Sequence, residues 1–326
     1  MTQNRSLIAY VTVGLKGLAM GAADVVPGVS GGTIAFITGI YEELIGTLDK
    51  VDLGFFKLWK QSGFKTAFRE YNLGFLLALF GGIIVSILSL AKVITYLMEF
   101  YPLMLWGFFF GLILASILLI GKQVSKWTVG VMIAAVVGTA VSYYITIAEP
   151  LGQTDSYFFL FLSGFMAIIA MILPGISGAF ILLLLGSYAA VLGTIESTID
   201  AAVSKNYAVL REGLLKMFMF VIGCVTGLKV FSKALTYLFE NYKDLTLALL
   251  TGFMIGALNK VWPWKEVISY RTDSHGVEIP FLDRSILPMN FDGDPKILIV
   301  LSLAAAGFLL IFLMERYANV KPVDAD

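Results

Sequence analysis

Long runs of residues without a single charge constrain this chain more than any other feature. Four of them cover Leu73 to Ala91, Pro102 to Gly121, Trp127 to Ala148 and Ile297 to Met314. A helix of about 20 apolar residues crosses the hydrocarbon core of a bilayer, so each run predicts one membrane span. Charged residues make up only 14% of the chain, against roughly 25% in soluble domains. The predicted fold class is therefore an all-α polytopic membrane protein.

Other apolar segments are less regular. Leu245 to Asn259 is a shorter candidate span, and Leu214 to Phe239 is apolar but interrupted by three lysines. Ser6 to Leu48 and Asp155 to Glu196 are each long enough for two crossings. Each contains a Pro-Gly pair near its middle, which predicts a broken helix or a re-entrant hairpin at that point.

Composition excludes several classes of function. The 23 Lys and Arg residues balance the 23 Asp and Glu residues, so no surplus of positive charge favours a nucleic-acid partner. With Cys224 as the sole cysteine, no intrachain disulfide can form. No group of His, Cys or paired carboxylates has the spacing of metal ligands, and we expect neither a metal nor another cofactor.

Two segments of the chain align without gaps when Pro27 is laid on Pro174. The six residues 27–32 then match the six residues 174–179. Further matching pairs are Gly39 with Gly186, Tyr41 with Tyr188, Gly46-Thr47 with Gly193-Thr194 and, after small shifts, Lys92 with Lys233, Gly107 with Gly252 and Gly111 with Gly256. We expect two duplicated halves, 1–150 and 151–326, that form one integral membrane domain.

The number of spans in each half predicts their relative orientation. A broken segment returns the chain to its starting side, whether it re-enters or crosses twice, and three further spans then reverse it. The second half is therefore expected to lie upside down relative to the first, as in the inverted repeats of many secondary transporters.

Positive charge predicts which side faces the cytoplasm. With the N-terminus inside, eleven basic residues fall in cytoplasmic segments and five fall outside: Arg5, Lys50, Lys57, Lys60, Lys65, Arg69, Lys122, Lys126, Lys243, Arg316 and Lys321, against Lys205, Arg211, Lys265, Arg271 and Arg284. We expect both termini to be cytoplasmic and the loop 262–295 to be external, where it serves as a lid or as a linker.

The two breaks are the candidate binding site. A helix that begins inside the membrane presents unpaired amides and the positive end of its dipole, both of which attract anions. The predicted substrate-binding positions are Gly28, Val29, Ser30, Gly31, Gly32 and Thr33 in the first break and Gly175, Ile176, Ser177, Gly178 and Ala179 in the second. The alternative is that Pro-Gly kinks packed helices and that the glycines allow their close approach.

Ionisable residues inside apolar runs are candidates for function because their burial in a membrane is costly. Lys16, Lys92 and Lys233 are predicted to handle an anion, although Lys92 and Lys233 are equally expected to reach lipid headgroups. Three carboxylates without counterparts in the other half are candidates for binding a coupling proton or sodium ion: Asp24, Glu42 and Glu43. For Asp24, an ion pair with Lys16 is the slightly favoured alternative.

Two enzyme classes share parts of these motifs. Gly28 to Gly31 fits the G-x-S-G of rhomboid-type proteases, but the sole histidine, His275, lies in the predicted external loop. The undecaprenyl-pyrophosphate phosphatases have a similar Pro-Gly-x-Ser-Arg-Ser-Gly motif, in which Gly31 of this chain replaces the arginine. Glu42 and Glu43 also lack the spacing of that family's carboxylates. We therefore expect a protein that is not an enzyme.

The segment 21–33, with its echo at 173–179, resembles the prokaryotic polyprenyl-phosphate transporters, a family long described only as a domain of unknown function. The duplicated layout extends this resemblance over essentially the whole chain. It implies return of undecaprenyl phosphate from the outer to the inner leaflet of the cytoplasmic membrane, with roles for the two Pro-Gly-x-Ser-Gly motifs and Asp24. A secondary transporter of a small soluble anion is the alternative, because it would use the same helix ends.

Overall fold

The first half of the protein folds into eight helices. In a computed structural model, the residues described are 5–25, 30–148, 156–272 and 278–318, and the side chains of 91, 95, 271–272, 278–282 and 314–318 are not described. The helices of the first half are α1 (Leu7–Asp24), α2 (Gly31–Ile37), α3 (Tyr41–Lys50), α4 (Gly54–Ser62), α5 (Phe64–Glu70), α6 (Leu73–Phe100), α7 (Pro102–Gly121) and α8 (Val129–Ile147).

The second half is also mainly helical, but it contains a pair of strands. Its elements are α9 (Tyr157–Ile172), α10 (Gly178–Leu184), α11 (Tyr188–Val203), α12 (Tyr207–Asn241), α13 (Lys243–Val261), β1 (Lys265–Thr272), β2 (Glu278–Ser285), a short 3-10 helix (Pro288–Asn290) and α14 (Ile297–Ala318). The strands pair antiparallel, from Lys265 opposite Ser285 to Thr272 opposite Glu278. The all-α prediction was therefore incomplete. A two-stranded ribbon has free edges that need water, so it lies outside any bilayer core.

Within the described part of the chain, six helices are long and apolar enough to cross a membrane: α1, the first part of α6, α7, α8, α12 and α13. The pair α10 and α11 is bent by 102° at the break between its helices and forms a further broken span or a re-entrant loop. The apolar helices α9 and α14 are shorter over their described residues. The predicted multi-pass helical membrane protein is confirmed.

Helix α13 connects two opposite ends of the molecule. At its start, Lys243 lies 2.8 Å from Glu42 of α3, and Asp244 accepts a hydrogen bond of 2.9 Å from the amide of Ser125. At its other end, Asn259 donates a hydrogen bond of 2.7 Å to Thr146 of α8 and accepts one of 2.8 Å from Ser285 of β2. The strands therefore lie at the end opposite α3, and we name this the hairpin end.

Both ends of the described chain lie near α3. Arg5 forms an ion pair with Glu43, and Lys122, which precedes the loop that meets Asp244, lies over the ring of Phe312 in α14. The predicted placement of both termini on one side agrees with this geometry. Which side is cytoplasmic stays a prediction.

The order of helices in the second half parallels that in the first. Helices α9, α10, α11, α12, α13 and α14 follow the order of α1, α2, α3, α6, α7 and α8, with α4 and α5 as an insertion in one half and the strands as an insertion in the other. Equivalent helices make equivalent contacts: α1 packs on α6 as α9 packs on α12, while α7 packs on α14 and α8 on α13. The last two helices of each half thus pack mainly on the last two helices of the other half. Their boundary and inversion remain predictions.

Glycine brings the backbones of these four helix pairs into contact. A side chain on any of several glycines would collide with a carbonyl oxygen of the partner helix. The distances from an added Cβ are 2.1 Å for Gly82 against Gly14, 2.0 Å for Gly223 against Phe161, 2.2 Å for Gly252 against Ala135 and 1.9 Å for Gly111 against Ala304. Small residues at helix interfaces are the usual means of packing helices in lipid, where apolar surfaces gain little by leaving the solvent.

Two adjacent glycines of α6 provide a matched test of this packing. A Cβ on Gly82 would lie 2.1 Å from the backbone of α1, whereas a Cβ on Gly81 would meet nothing within 4 Å. We expect Gly82→Ala to lower the free energy of unfolding by about 1–3 kcal/mol through overpacking. Gly81→Ala is expected to leave it unchanged or to raise it by up to about 1 kcal/mol. Thermal unfolding in detergent measures both, and equal shifts would contradict the packing described here.

Candidate functional site

The first break packs against the end of α9. Ser30 is the N-cap of α2 in extended conformation, and its hydroxyl accepts a hydrogen bond of 3.1 Å from the amide of Gly32. The same hydroxyl lies 3.2 Å from the carbonyl oxygens of Met171 and Leu173, to which it donates. Ser30 therefore caps α2 and also joins the first half to the second by hydrogen bonds.

A direct hydrogen bond joins the two breaks. The amide of Gly175 donates to the hydroxyl of Thr33 over 2.9 Å. Gly175 has a φ of +87°, a backbone conformation that side chains disfavour. A Cβ on Gly32 would lie 2.4 Å from the carbonyl oxygen of Ile172. The two breaks therefore contact each other, and glycine is needed for this approach.

Two charges of α1 hold the short helix α2 at its ends. Asp24 accepts a hydrogen bond of 2.6 Å from the amide of Gly31 at the N-terminus of α2. Lys16 donates one of 2.7 Å to the carbonyl of Thr38 at the C-terminus. Each charge has the sign that stabilises that end of a helix dipole. The favoured ion pair between Asp24 and Lys16 was therefore wrong, because each residue binds an opposite end of α2.

The N-terminus of α10 lacks the carboxylate that α2 has. The repeat places Met171 where the first half has Asp24. Ser177, the N-cap of α10, makes no capping hydrogen bond. It is 9% exposed, and its hydroxyl has no hydrogen-bond partner among the residues that the structure describes. The two helix ends are thus unlike, since Asp24 bonds the first amide of α2 and no described residue caps α10. We name the break before α10 the open break, while its role in binding an anion stays a prediction.

Several predicted site residues lie away from the breaks. Glu42 pairs with Lys243, and Glu43 pairs with Arg5 and accepts a hydrogen bond of 2.8 Å from Asn72. Both carboxylates lie in the first turn of α3, beside the basic residues Arg5 and Lys243. Lys92 and Lys233 are exposed on α6 and α12, and within the described part of the chain neither forms a hydrogen bond or an ion pair.

The remaining motif positions differ in their surroundings. Gly28 and Val29, with Pro27, lie outside the described residues. Ile176 is buried in the protein core and Ala179 is exposed. A Cβ on Gly178 would lie 2.7 Å from the carbonyl oxygen of Ala167 in α9. Gly178 therefore serves close packing, as the alternative interpretation of the motif predicts.

Each half contains a second break, after α2 and after α10, that was not predicted from the sequence. Gly39 and Gly186 have φ values of +72° and +69° and end α2 and α10 after only two turns. In each case the amide of the next residue reaches back to the carbonyl five positions before it, from Ile40 to Ala35 and from Ser187 to Leu182. This is the Schellman ending of a helix. The repeated Gly39 and Gly186 pair was the available signal.

A cluster beside the second break was also overlooked. Lys260 is 9% exposed, and its ammonium lies 3.2 Å from both carboxylate oxygens of Asp283. The same ammonium lies 4.9 Å from the centre of the Phe180 ring. Lys265 lies 3.4 Å from Asp283 and 4.3 Å from the centre of the Trp106 ring. The signal in the sequence was a lysine immediately after the uncharged run that ends at Asn259.

Burial lowers the pKa of Lys265 from 10.5 to about 8, while the charge of Asp283 acts in the opposite direction and that of Lys260 adds to the shift. Lys265 lies on β1, outside the membrane-spanning helices.

This shift predicts a pH dependence of stability. Above pH 8 or so, the folded protein releases the Lys265 proton while the unfolded chain retains it, so the free energy of unfolding rises with pH toward about 10. Lys265→Met removes this contribution. Unfolding of both proteins in detergent from about pH 7 to about pH 10 measures the difference in slope. Parallel curves would show that Lys265 has an ordinary pKa.

The two ends of α2 provide a second test. Asp24→Ala leaves the Gly31 amide without its acceptor, and we expect the free energy of unfolding to fall by about 0.5–2 kcal/mol, the range for loss of an N-cap. Asp24→Asn keeps an acceptor oxygen and should lose less. Met171→Ala, at the equivalent position of the other half, is the matched control. A loss for Met171→Ala as large as that for Asp24→Ala would contradict the capping role.

Comparison with known proteins places this sequence in a family. The undecaprenyl phosphate translocase-like family matches residues 20–279. A protein of Vibrio cholerae named polyprenyl-phosphate transporter is 44% identical over 315 residues, which cover 95% of this chain and 97% of the relative. A protein of Staphylococcus aureus with the same name is 32% identical over 261 residues, covering 76% and 85%. No solved structure matches the chain.

The family and both relatives are named for transport and not for an enzymatic reaction, in agreement with the prediction from the motifs. The resemblance seen in residues 21–33 is confirmed over most of the sequence. This chain belongs to the undecaprenyl phosphate translocase-like family.

Proposed function

We propose that this protein moves polyprenyl phosphate from one leaflet of a membrane to the other. The observation that carries the proposal is the 44% identity to a polyprenyl-phosphate transporter over nearly the full length of both chains. We further propose that undecaprenyl phosphate returns from the outer to the inner leaflet of the cytoplasmic membrane, with both termini of the protein in the cytoplasm. This direction would recycle the lipid carrier of cell-envelope assembly.

The physical obstacle to this movement is the phosphate. Its charge makes passage through hydrocarbon far more costly than passage of the prenyl chain. The breaks supply polar groups between apolar helices, and the open one supports a binding role. There the hydroxyl of Ser177 and the first amides of α10 have no capping partner among the described residues, so they can replace water around the phosphate while the prenyl chain stays in lipid.

Coupling to an ion is part of the proposal. Of the three candidate carboxylates, Asp24 is the one bonded to a break, whereas Glu42 and Glu43 lie at the opposite end from the strands. A proton or sodium ion bound by Asp24 would weaken its hold on the amide of Gly31. Alternating exposure of the site would then follow from movement of the α1–α6 and α9–α12 pairs, with the breaks that they carry, against the other membrane helices.

Ser177→Ala tests the placement of the phosphate. A hydrogen bond to a charged group contributes about 1.5–3 kcal/mol, so we expect transport of polyprenyl phosphate at low lipid concentration to fall at least about tenfold. Movement between leaflets is measured in liposomes that contain the purified protein, beside protein-free liposomes. Ser142→Ala is the matched control, because Ser142 is buried in α8 and its hydroxyl also has no partner in the described structure.

The outcomes separate the site from the function. Transport by wild type and by Ser177→Ala at equal rates would overturn this site but leave the function in place. If transport is lost in the double variant with Ser30→Ala and Ser177→Ala but retained in each single variant, the phosphate binds at both breaks. Absence of movement by wild type, with or without an ion gradient, would contradict lipid transport and favour a small soluble anion as the substrate.

A further inference from the structure

Among the described residues, the lysine cluster at the hairpin end, formed by Lys260, Lys265 and Asp283, carries more positive than negative charge. Lys260 and Lys265 share the single carboxylate of Asp283. The side chains of the two lysines are 11% and 10% exposed. The other described ion pair on the strands, Arg284 with Glu266, is more exposed and neutral as a pair. Buried charges are unfavourable unless they are paired. The cluster therefore favours a further anion.

This cluster adjoins the open break. Gly175 packs on α13, where an added Cβ would lie 3.1 Å from the side chain of Ala257. Lys260 follows Ala257 by about one helical turn, and its ammonium faces Phe180 in the first turn of α10. A phosphate on the lysines would therefore lie next to the helix that begins at Ser177.

An apolar groove lies on the other side of the link between α13 and β1. It runs between α7 and α14. Its volume of about 400 Å³ is within the range of about 300–1,000 Å³ that is typical of pockets for small ligands. Its lining includes Phe110, Leu114, Trp262, Trp264, Ala304 and Phe308.

Two connections join the groove to the lysines. Trp264 precedes Lys265 directly in the chain, and Trp106, whose ring faces Lys265, precedes Phe110 by about one turn of α7. Trp262 also packs edge to face on Phe110, with ring centres 5.4 Å apart. A positively charged site and an apolar groove thus lie side by side, as the head and the chain of a phospholipid require.

We propose that polyprenyl phosphate docks at the hairpin end, with its phosphate on Lys260 and Lys265 in place of the Asp283 carboxylate and its first isoprene units in the groove between α7 and α14. This inference rests on the proposed function and adds a docking site to it. Asp283 acts as a resident anion that keeps the lysines paired until the lipid arrives. Its release removes the ion pair between β2 and Lys260 of α13, and the phosphate then lies beside the open break.

The exchange of one anion for another makes opposite predictions for its two partners. Lys260→Gln removes a cation that holds the phosphate, so the affinity for polyprenyl phosphate is expected to fall at least tenfold. Asp283→Asn removes the competing anion, so the affinity is expected to rise several-fold. A merely structural ion pair predicts a loss in both variants. Polyprenol, which has the chain without the phosphate, should bind both variants as it binds wild type.

Binding is measured on the full-length protein in detergent by tryptophan fluorescence, because Trp106, Trp262 and Trp264 surround the site. Polyprenyl phosphate, polyprenol and inorganic phosphate are compared. Lys60→Gln is the matched control, because Lys60 is an exposed lysine of α4 that belongs to no proposed binding site. Lys260→Arg retains the positive charge, so its affinity shows whether the loss in Lys260→Gln comes from loss of charge. Thermal unfolding of every variant shows whether any loss of affinity comes instead from loss of folding.

Each outcome decides a different point. Unchanged affinity in Lys260→Gln, or reduced affinity in a folded Asp283→Asn protein, overturns the docking site while transport by wild type in liposomes upholds the proposed function. Equal binding of inorganic phosphate and the lipid also overturns it, because the groove would then contribute nothing. If wild type neither binds nor moves polyprenyl phosphate, the proposed function itself fails.

Discussion

A helix that begins between membrane spans exposes amide groups that hydrocarbon cannot satisfy, and the arrangement of this protein depends on how those amides are bonded. In the first half, Asp24 and Ser30 accept hydrogen bonds from the first amides of α2. In the second half, the equivalent positions provide a methionine and a serine without a capping bond. The chain's own groups therefore bond the first amides of α2, whereas the described residues provide no such cap for α10. The joining bond from Gly175 to Thr33 keeps the two breaks in contact.

The glycine contacts decide which parts can move together. Helices α7 and α14, and likewise α8 and α13, meet through glycines whose partners are backbone atoms. Each of these pairs contains one helix from each half, so the four helices form a shared framework that cannot divide at the repeat boundary. The α1–α6 and α9–α12 pairs are each formed within one half. In a transport cycle we therefore expect these pairs to shift against the shared framework, together with the breaks that they carry.

The sequence predicts the features that depend on local composition and fails where distant residues decide. Uncharged runs predicted the spans, and the two Pro-Gly motifs predicted a break in each half. The partner of Asp24 was not predictable from proximity, because Lys16 reaches the far end of α2 and not its N-terminus. Lys260 looked like the polar end of a span, since its significance comes from Asp283 on a strand that a search for apolar helices does not detect.

The two halves differ in the charges beside their breaks. Two equal helix ends would bind a phosphate equally, and nothing would favour its movement from one to the other. Here the first end holds the negative charge of Asp24, whereas the second lies beside Lys260 and Lys265. In the transport proposed above, a phosphate would thus be attracted to α10 and repelled from α2 until the charge of Asp24 is neutralised. A cation or proton at Asp24 would lower that barrier, and this connects ion binding in one half to movement of the lipid in the other.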